Sequence, residues 1–139
     1  MVSIYERAFA IAKGELGVSE KPGHDHNPRI LQYHKETSLH ASDDETPWWA
    51  SFVNWVLKQV GVVGTNSAAA RSFATWGVEL REPIKGCIAV FTREGGGHVA
   101  FVEHVQGEMI YCLGGNQSNK VCVSAYPKSR LLSYRGFRS

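Results

Sequence analysis

The sequence predicts an α+β fold in which helices come first and strands follow. Three observations support this prediction. Apolar residues recur at helical spacing in the first half of the chain, they alternate with a period of two from His98 onward, and glycine-containing turns separate the later segments. Helices followed by a run of strands are typical of N-terminal helices packed on a C-terminal antiparallel sheet.

The first predicted helix covers residues 4–16, because its apolar side chains fall at helical spacing and Gly17 is a natural helix stop. A polar loop follows. Pro28 favours the start of a second, short helix, since proline is well accepted at the first helical position. The packing side chains of this helix are expected to be Ile30, Leu31 and Tyr33.

A third helix is predicted after the acidic segment 42–45. Thr46 is a good N-cap, Pro47 fits the first helical position, and Gly61 marks the end. The buried stripe of this helix is predicted to consist of Phe52, Trp55, Val56 and Val60. Outside this helix, Trp76 is also expected in the core.

The remaining segments are predicted to be one more short helix and a meander of strands. The helix passes through Ala68 and Phe73, with Asn66 or Ser67 as its cap and Gly77 as its end. We expect strands over residues 88–91, 98–105, 109–113, 121–123 and 131–134, with a break at 114–115. No repeat or linker interrupts this pattern, so one domain is predicted over residues 1–139.

Composition limits the function classes. With 43% hydrophobic and 20% charged residues, the chain is expected to form one folded core. A net charge of +2 is too weak to indicate nucleic-acid binding, although it favours association with an anionic cell wall. No segment approaches the ~20 apolar residues that span a bilayer, so membrane insertion is not expected.

The cysteines and histidines give no strong metal or disulfide pattern. An odd count of cysteines argues against a disulfide framework. Cys112 and Cys122 either face each other across a hairpin or, as we expect, are buried reduced thiols like Cys87. No Cys-x-x-Cys pair indicates structural zinc. We expect no metal or cofactor; a metal site at His24 and His26 is the alternative, although no third ligand is placed by sequence.

Three local patterns carry the functional argument. Residues 46–55 read Thr-Pro-Trp-Trp-Ala-Ser-Phe-Val-Asn-Trp, residues 97–101 read Gly-His-Val-Ala-Phe, and residues 113–118 read Leu-Gly-Gly-Asn-Gln-Ser. In this order they resemble the cysteine, histidine-dependent amidohydrolase/peptidase (CHAP) and NlpC-type enzymes. Within these, the chain is most similar to compact peptidoglycan hydrolases (endolysins) of phages and prophages. The resemblance covers nearly the whole chain and implies a papain-like core.

The resemblance also implies the roles of the site residues. Position 49 is that of the family's nucleophilic cysteine, His98 is the base, and Asn116 orients the imidazole. A cysteine in the first turn of a helix would have its thiolate stabilised by the helix dipole. Trp48, Asp44 and Gln117 are expected to contact the substrate, which the resemblance implies is bacterial peptidoglycan.

The chain departs from the family at its most important position, because Trp49 stands where the cysteine is expected. An indole has no nucleophilic atom to attack a carbonyl, so we expect this chain to be inactive. Ser51 and Cys87 are the alternative nucleophiles, yet neither has a base placed beside it. A cysteine codon becomes a tryptophan codon by one base change, so both an inactivated enzyme and a natural wall-binding or partner-binding pseudoenzyme stay open.

Several further expectations complete the sequence-based interpretation. His104 shares the strand parity of His98 and is the fallback base, although surface exposure is expected. Glu103 would take the orienting role only if its strand bulges. Trp48 also fits a packing position under the helix start. Residues 1–17 do not resemble a signal peptide, so we expect the protein to be made in the cytoplasm and to act on the wall after release. We also expect it to be a monomer.

Overall fold

Three helices precede the sheet. A computed structural model describes residues 3–19, 27–35, 48–67, 69–93, 96–117 and 120–138. Helix α1 spans Ile4–Lys13, α2 spans Pro28–His34 and α3 spans Trp49–Gln59. The short helix predicted in this region is a 3₁₀ helix at Ala70–Thr75. Among the described residues, no helix is long and apolar enough to cross a membrane.

The second half forms a six-stranded antiparallel sheet, which confirms the predicted α+β fold. The strands lie in the order β1-β6-β2-β3-β4-β5, so the chain's last strand sits inside the sheet. Strand β1, which was not predicted, is a short edge strand. The strands are β1 Val78–Leu80, β2 Ile88–Arg93, β3 Gly96–Gln106, β4 Met109–Gln117, β5 Lys120–Pro127 and β6 Leu131–Gly136.

Two helix boundaries differ from the prediction. Helix α1 ends at Lys13, with Gly14 as its C-cap, and Gly17 instead donates a backbone hydrogen bond to the carbonyl of Val121 on β5. Helix α3 begins at Trp49 with Trp48 as its N-cap, two positions after the predicted cap. Thr46 and Pro47 themselves lie outside the described residues. Residue 49 is therefore the first residue of α3.

The predicted break at residues 114–115 is wrong, because β4 continues through both glycines to Gln117. A methyl group on Gly115 would lie 2.6 Å from the ring of Trp48, and one on Gly114 would lie 2.8 Å from the Cβ of Ala100. These glycines therefore allow close packing within a strand, where the sequence prediction had placed a turn.

Buried apolar residues lie on both faces of the sheet. Helix α3 packs across β3 and β4, and its buried side chains Phe52 and Val56 belong to the same cluster as Phe101. A smaller cluster on the other face includes Cys87, Ala89, Phe91, Ala100, Val102, Ile110, Cys112 and Tyr134. The α3 helix is thus held on one face of the sheet with its first residue close to the start of β3.

Two tryptophans that were predicted in the core are only partly buried. Trp55 packs edge-on against Tyr33, with the guanidinium of Arg29 5.5 Å from its ring centre. Trp76 donates a hydrogen bond from its indole nitrogen to the carbonyl of Val63. Both indoles therefore keep one side toward polar groups, which helical spacing alone cannot show.

Candidate functional site

His98 occupies a buried position near the start of β3. Its side chain is 2% exposed. It pairs in register with Phe91 on β2, and strand alternation places it on the same face as Ala100 and Val102. The backbone of His98 is therefore fixed by strand pairing, and its imidazole is enclosed by neighbouring side chains.

Gln117, at the end of β4, fixes the orientation of this imidazole. Its side-chain nitrogen donates to the carbonyls of Cys112 and Cys122, at 3.2 and 2.6 Å. Its oxygen Oε1 consequently faces His98 Nε2, at 2.9 Å, and also accepts a hydrogen bond from the hydroxyl of Tyr126. Because an amide oxygen only accepts, Nε2 of His98 carries the hydrogen, and Nδ1 holds the lone pair when the ring is neutral.

Trp49 lies against this histidine. The centroids of the two rings are 5.6 Å apart and the planes are nearly perpendicular, at 88°. The indole is half-buried and packs against the larger cluster, so it reaches the imidazole from the α3 side of the sheet, whereas Phe91 and Tyr126 flank the imidazole from the face of the smaller cluster. The structure therefore brings together positions 49 and 98, which lie 49 residues apart in the sequence.

A pocket of about 180 Å³ opens beside His98. Three of its walls are aromatic rings, with the Tyr126 ring centre 4.9 Å from those of both His98 and Phe91. Arg130, from the short turn before β6, adds a guanidinium to the lining, and Thr92 completes it. The sequence analysis gave no site role to Phe91, Tyr126 or Arg130.

The other predicted site residues have different positions. Asn116 belongs to β4, but its side chain lies outside the described part of the structure. Asp44 lies outside the described residues altogether. Trp48 is fully buried and stacks on Tyr33 at 5.8 Å, so its side chain packs under the helix start and does not reach a substrate. Gln117 is 3% exposed, so it lies behind His98, away from the expected substrate contact.

The alternative nucleophiles are both buried. Ser51 and Cys87 have no exposed surface, and burial raises the pKa of the Cys87 thiol to about 11. Cys87 lies in the smaller cluster with Cys112. At neutral pH such a thiol is protonated and shielded from solvent, so its environment does not favour nucleophilic attack.

The fallback residues on β3 pair with each other at the surface. Strand β3 has a bulge at Glu103, since its register with β4 shifts between Val102 and His104. Glu103 nevertheless lies 3.0 Å from Nδ1 of His104, which is exposed and stacks on Tyr111. The carboxylate therefore contacts His104 and not His98.

The three cysteines are free thiols. Cys112 faces Ser124 across the β4–β5 ladder, and Cys122 faces Gly114, so the two thiols are not cross-strand partners. The described part of the chain contains no group of three histidine, cysteine or acidic residues that would hold a metal. His24 and His26 lie outside it.

The fold and the site together define a hydrolase scaffold in which a helix N-terminus faces a strand histidine. A family model described as the CHAP domain matches residues 41–116, more than half of the chain. The chain therefore belongs to the CHAP domain family. This membership indicates peptidoglycan hydrolysis in general, with peptidoglycan as the substrate class. No curated protein matches the chain.

Proposed function

We propose that the chain is an endolysin-type cysteine peptidase or amidase scaffold in which Trp49 occupies the position of the nucleophile and blocks the chemistry. The observation that carries this proposal is the ring contact between Trp49, the first residue of α3, and His98. A cysteine at the same backbone position would lie on the side of the histidine that the indole now covers. The bond cleaved is an amide of the wall peptide or of its link to the sugar.

The chemistry follows from the positions of these groups once a thiol stands at residue 49. Nδ1 of His98 takes the thiol proton, and the thiolate attacks the carbonyl carbon of the amide. Backbone N–H groups in the first turn of α3 stabilise both the thiolate and the oxyanion. His98 then protonates the leaving amine, and water hydrolyses the thioester, which restores the free thiol.

In this proposal the orienting residue is Gln117. Its oxygen accepts the Nε2 hydrogen of His98, and its nitrogen is fixed by two backbone carbonyls. This arrangement selects the tautomer with the lone pair on Nδ1, the role that sequence reasoning assigned to Asn116. Gln117 is a positioning residue, since it acts through the histidine.

Trp49 supplies none of this chemistry. Its indole carries no ionisable nucleophile, and loss of the nucleophile in an acyl-transfer enzyme costs about 10⁶ in rate. We infer that the chain as it stands does not lyse cell walls. We also infer that it acts as a monomer, without nucleic-acid or membrane partners, and meets the wall only after release from the cytoplasm.

A second candidate function is a pseudoenzyme that binds the wall without cleaving it. The half-buried ring of Trp49 favours this alternative, because it leaves an apolar surface next to His98. Indoles contribute large contact areas to binding sites. In this case the tryptophan would have a function of its own, and its removal would weaken wall binding.

The test compares turbidity loss of permeabilised Gram-negative cells and of purified sacculi for three proteins. These are the native chain, Trp49→Cys, and Trp49→Ala as a control that removes the indole without adding a thiol. We expect lysis by Trp49→Cys alone, and its loss when His98→Ala is added. Lysis by the native chain would overturn the assignment of position 49. If none of the three proteins lyses the walls, the pseudoenzyme is favoured.

A further inference from the structure

The pocket beside His98 has the size and lining of a site for a small group. Its volume of about 180 Å³ is well above the ~10–15 Å³ that a single water needs, so the pocket has room for a small chemical group. The rings of Phe91 and His98 are almost fully buried, so most of the surface that the pocket offers to a ligand comes from Thr92, Tyr126 and Arg130. The lining is therefore mixed, with flat rings beside hydroxyl and guanidinium groups.

Most polar groups of the lining already have partners within the protein. The hydroxyl of Tyr126 and Nε2 of His98 both bind the oxygen of Gln117. The hydroxyl of Thr92 donates to the backbone carbonyl of Arg130, at 3.3 Å. Arg130 is exposed, and no carboxylate in the described part of the chain forms an ion pair with its guanidinium, which is therefore open to a ligand from solvent.

We propose that this pocket binds a free carboxylate of the wall peptide, close to the amide that is cleaved. Arg130 is the anchor, since a guanidinium forms two parallel hydrogen bonds to a carboxylate. The partly exposed ring of Tyr126 packs against the carbon that bears the carboxylate. Assigning the ligand to the wall peptide depends on the proposed function; the preference for a carboxylate depends only on the pocket.

The position of the pocket gives it a role in specificity. His98 is both a wall of the pocket and the proposed base, so a group held by Arg130 lies on the pocket side of that imidazole. The protein should therefore prefer wall peptides whose carboxylates are free over those in which they are amidated. Amidation keeps the shape of the group but removes its charge and one acceptor oxygen.

The probe is a synthetic tetrapeptide that alternates L- and D-residues and contains a D-glutamyl residue linked through its side chain. A second version carries amides in place of all free carboxylates. Calorimetric titration of the native chain, which does not cleave either peptide, is expected to show at least about 10-fold weaker binding of the amidated version.

Three variants localise the effect. Arg130→Gln should bind both peptides equally weakly, and Arg130→Lys should recover part of the preference, since an ammonium keeps the charge but not the fork. Lys128→Gln is the matched control, because it removes one positive charge from the same short turn but lies outside this pocket. It should leave the preference unchanged.

Three results would overturn the inference. The native chain could bind the two peptides equally, it could bind neither, or Arg130→Gln could keep the preference of the native chain. These results are independent of wall lysis by Trp49→Cys. If that variant lyses walls while Arg130→Gln keeps the preference, the pocket is wrong and the proposed function stands. If Trp49→Cys lyses no walls while Arg130→Gln abolishes the preference, the proposed function is wrong and the carboxylate site at the pocket is supported.

Discussion

The hydroxyl of Tyr126 donates a hydrogen bond of 2.9 Å to the same Gln117 oxygen that lies 2.9 Å from His98 Nε2. With both amide hydrogens directed at backbone carbonyls, the Gln117 side chain cannot turn over without losing four contacts. Buried hydrogen-bond networks rigidify the groups that they join. The imidazole is therefore oriented by three strands, β3, β4 and β5.

Replacing Gln117 by alanine in the Trp49→Cys protein should lower kcat with little change in KM. We expect a loss of roughly 10- to 100-fold, part of the ~10²–10⁴ that positioned acid–base catalysis contributes. Hydrolysis of a soluble wall fragment measures both constants. Gln106→Ala, on the exposed end of β3, is the matched control and should leave kcat unchanged.

The Gln117→Glu variant separates orientation from simple damage to the fold. A carboxylate still accepts the Nε2 hydrogen but cannot donate to the carbonyls of Cys112 and Cys122, so we expect kcat to recover only in part. Its negative charge stabilises the imidazolium, which should move the histidine limb of the pH profile to higher pH. A pH profile that does not move would show that Gln117 has only a structural role.

Much of the site could be predicted from the sequence, but the contact between Gln117 and His98 could not. The order of the motifs placed residues 49 and 98 together, since a helix start and a strand start are local features that the sequence shows. The choice between Asn116 and Gln117 depends on strand parity. The β4–β5 register shifts between Gly114 and Gln117, so alternation counted along the sequence does not show which side chain turns toward His98.

Contacts between residues that are distant in sequence also explain where the predicted fold differs from the structure. The sequence shows that Gly114 and Gly115 lack side chains, but not that Trp48 and Ala100 lie against them. It shows the spacing of Trp55, but not the guanidinium of Arg29 over its ring. Helix and strand types follow from local pattern, whereas these details depend on residues that are distant in sequence.

The thiols should differ sharply in reactivity. Cys122 is partly exposed, whereas Cys87 and Cys112 are buried, and burial raises the pKa of both buried thiols. At pH 7.5 we expect about one thiol per native chain to react quickly with a disulfide reagent, and about three after denaturation in urea. Cys122→Ser should abolish the fast reaction. Rapid labelling of Cys87 would instead show that the smaller cluster opens readily.

Stability should fall at alkaline pH because of the same buried thiols. Burial raises the pKa of Cys87 from 9.0 to about 11 and raises that of Cys112 as well. The folded state therefore holds these protons more tightly than the unfolded chain does. The contribution of Cys87 is complete below pH 9 and is lost as pH rises through 11, by roughly 1.4 kcal/mol per pH unit, and Cys112 adds a loss in the same direction.

Urea unfolding at pH 8 and pH 10.5, under reducing conditions, measures this loss. Cys87→Ser removes one titrating group, so the free energy of unfolding should depend less steeply on pH, whatever the cost of the substitution itself. Cys122→Ser is the control, and it should leave the pH dependence as it is. Equal slopes for Cys87→Ser and the native chain would contradict the assignment.

The close approach of α3 to β4 predicts that Gly115→Ala destabilises the fold. The added methyl would lie 2.6 Å from the ring of Trp48 and 2.8 Å from the Cβ of Phe52, both fully buried. Overpacking of this kind typically costs ~1–3 kcal/mol, which lowers the Tm by roughly 3–12 °C for a chain of this size. Thermal unfolding followed by circular dichroism measures the change.

Gly14→Ala is the matched control for the same substitution. Gly14 has helical backbone angles, and an added methyl would meet its nearest neighbour, the carbonyl oxygen of Ile11, at an ordinary 3.4 Å. Alanine there should leave the Tm unchanged or raise it, because it restricts the unfolded chain. If Gly115→Ala were equally harmless, α3 would have room to move away from β4. Position 49 would then not be held against His98 by packing, and the contact on which the proposed function depends would lose its support.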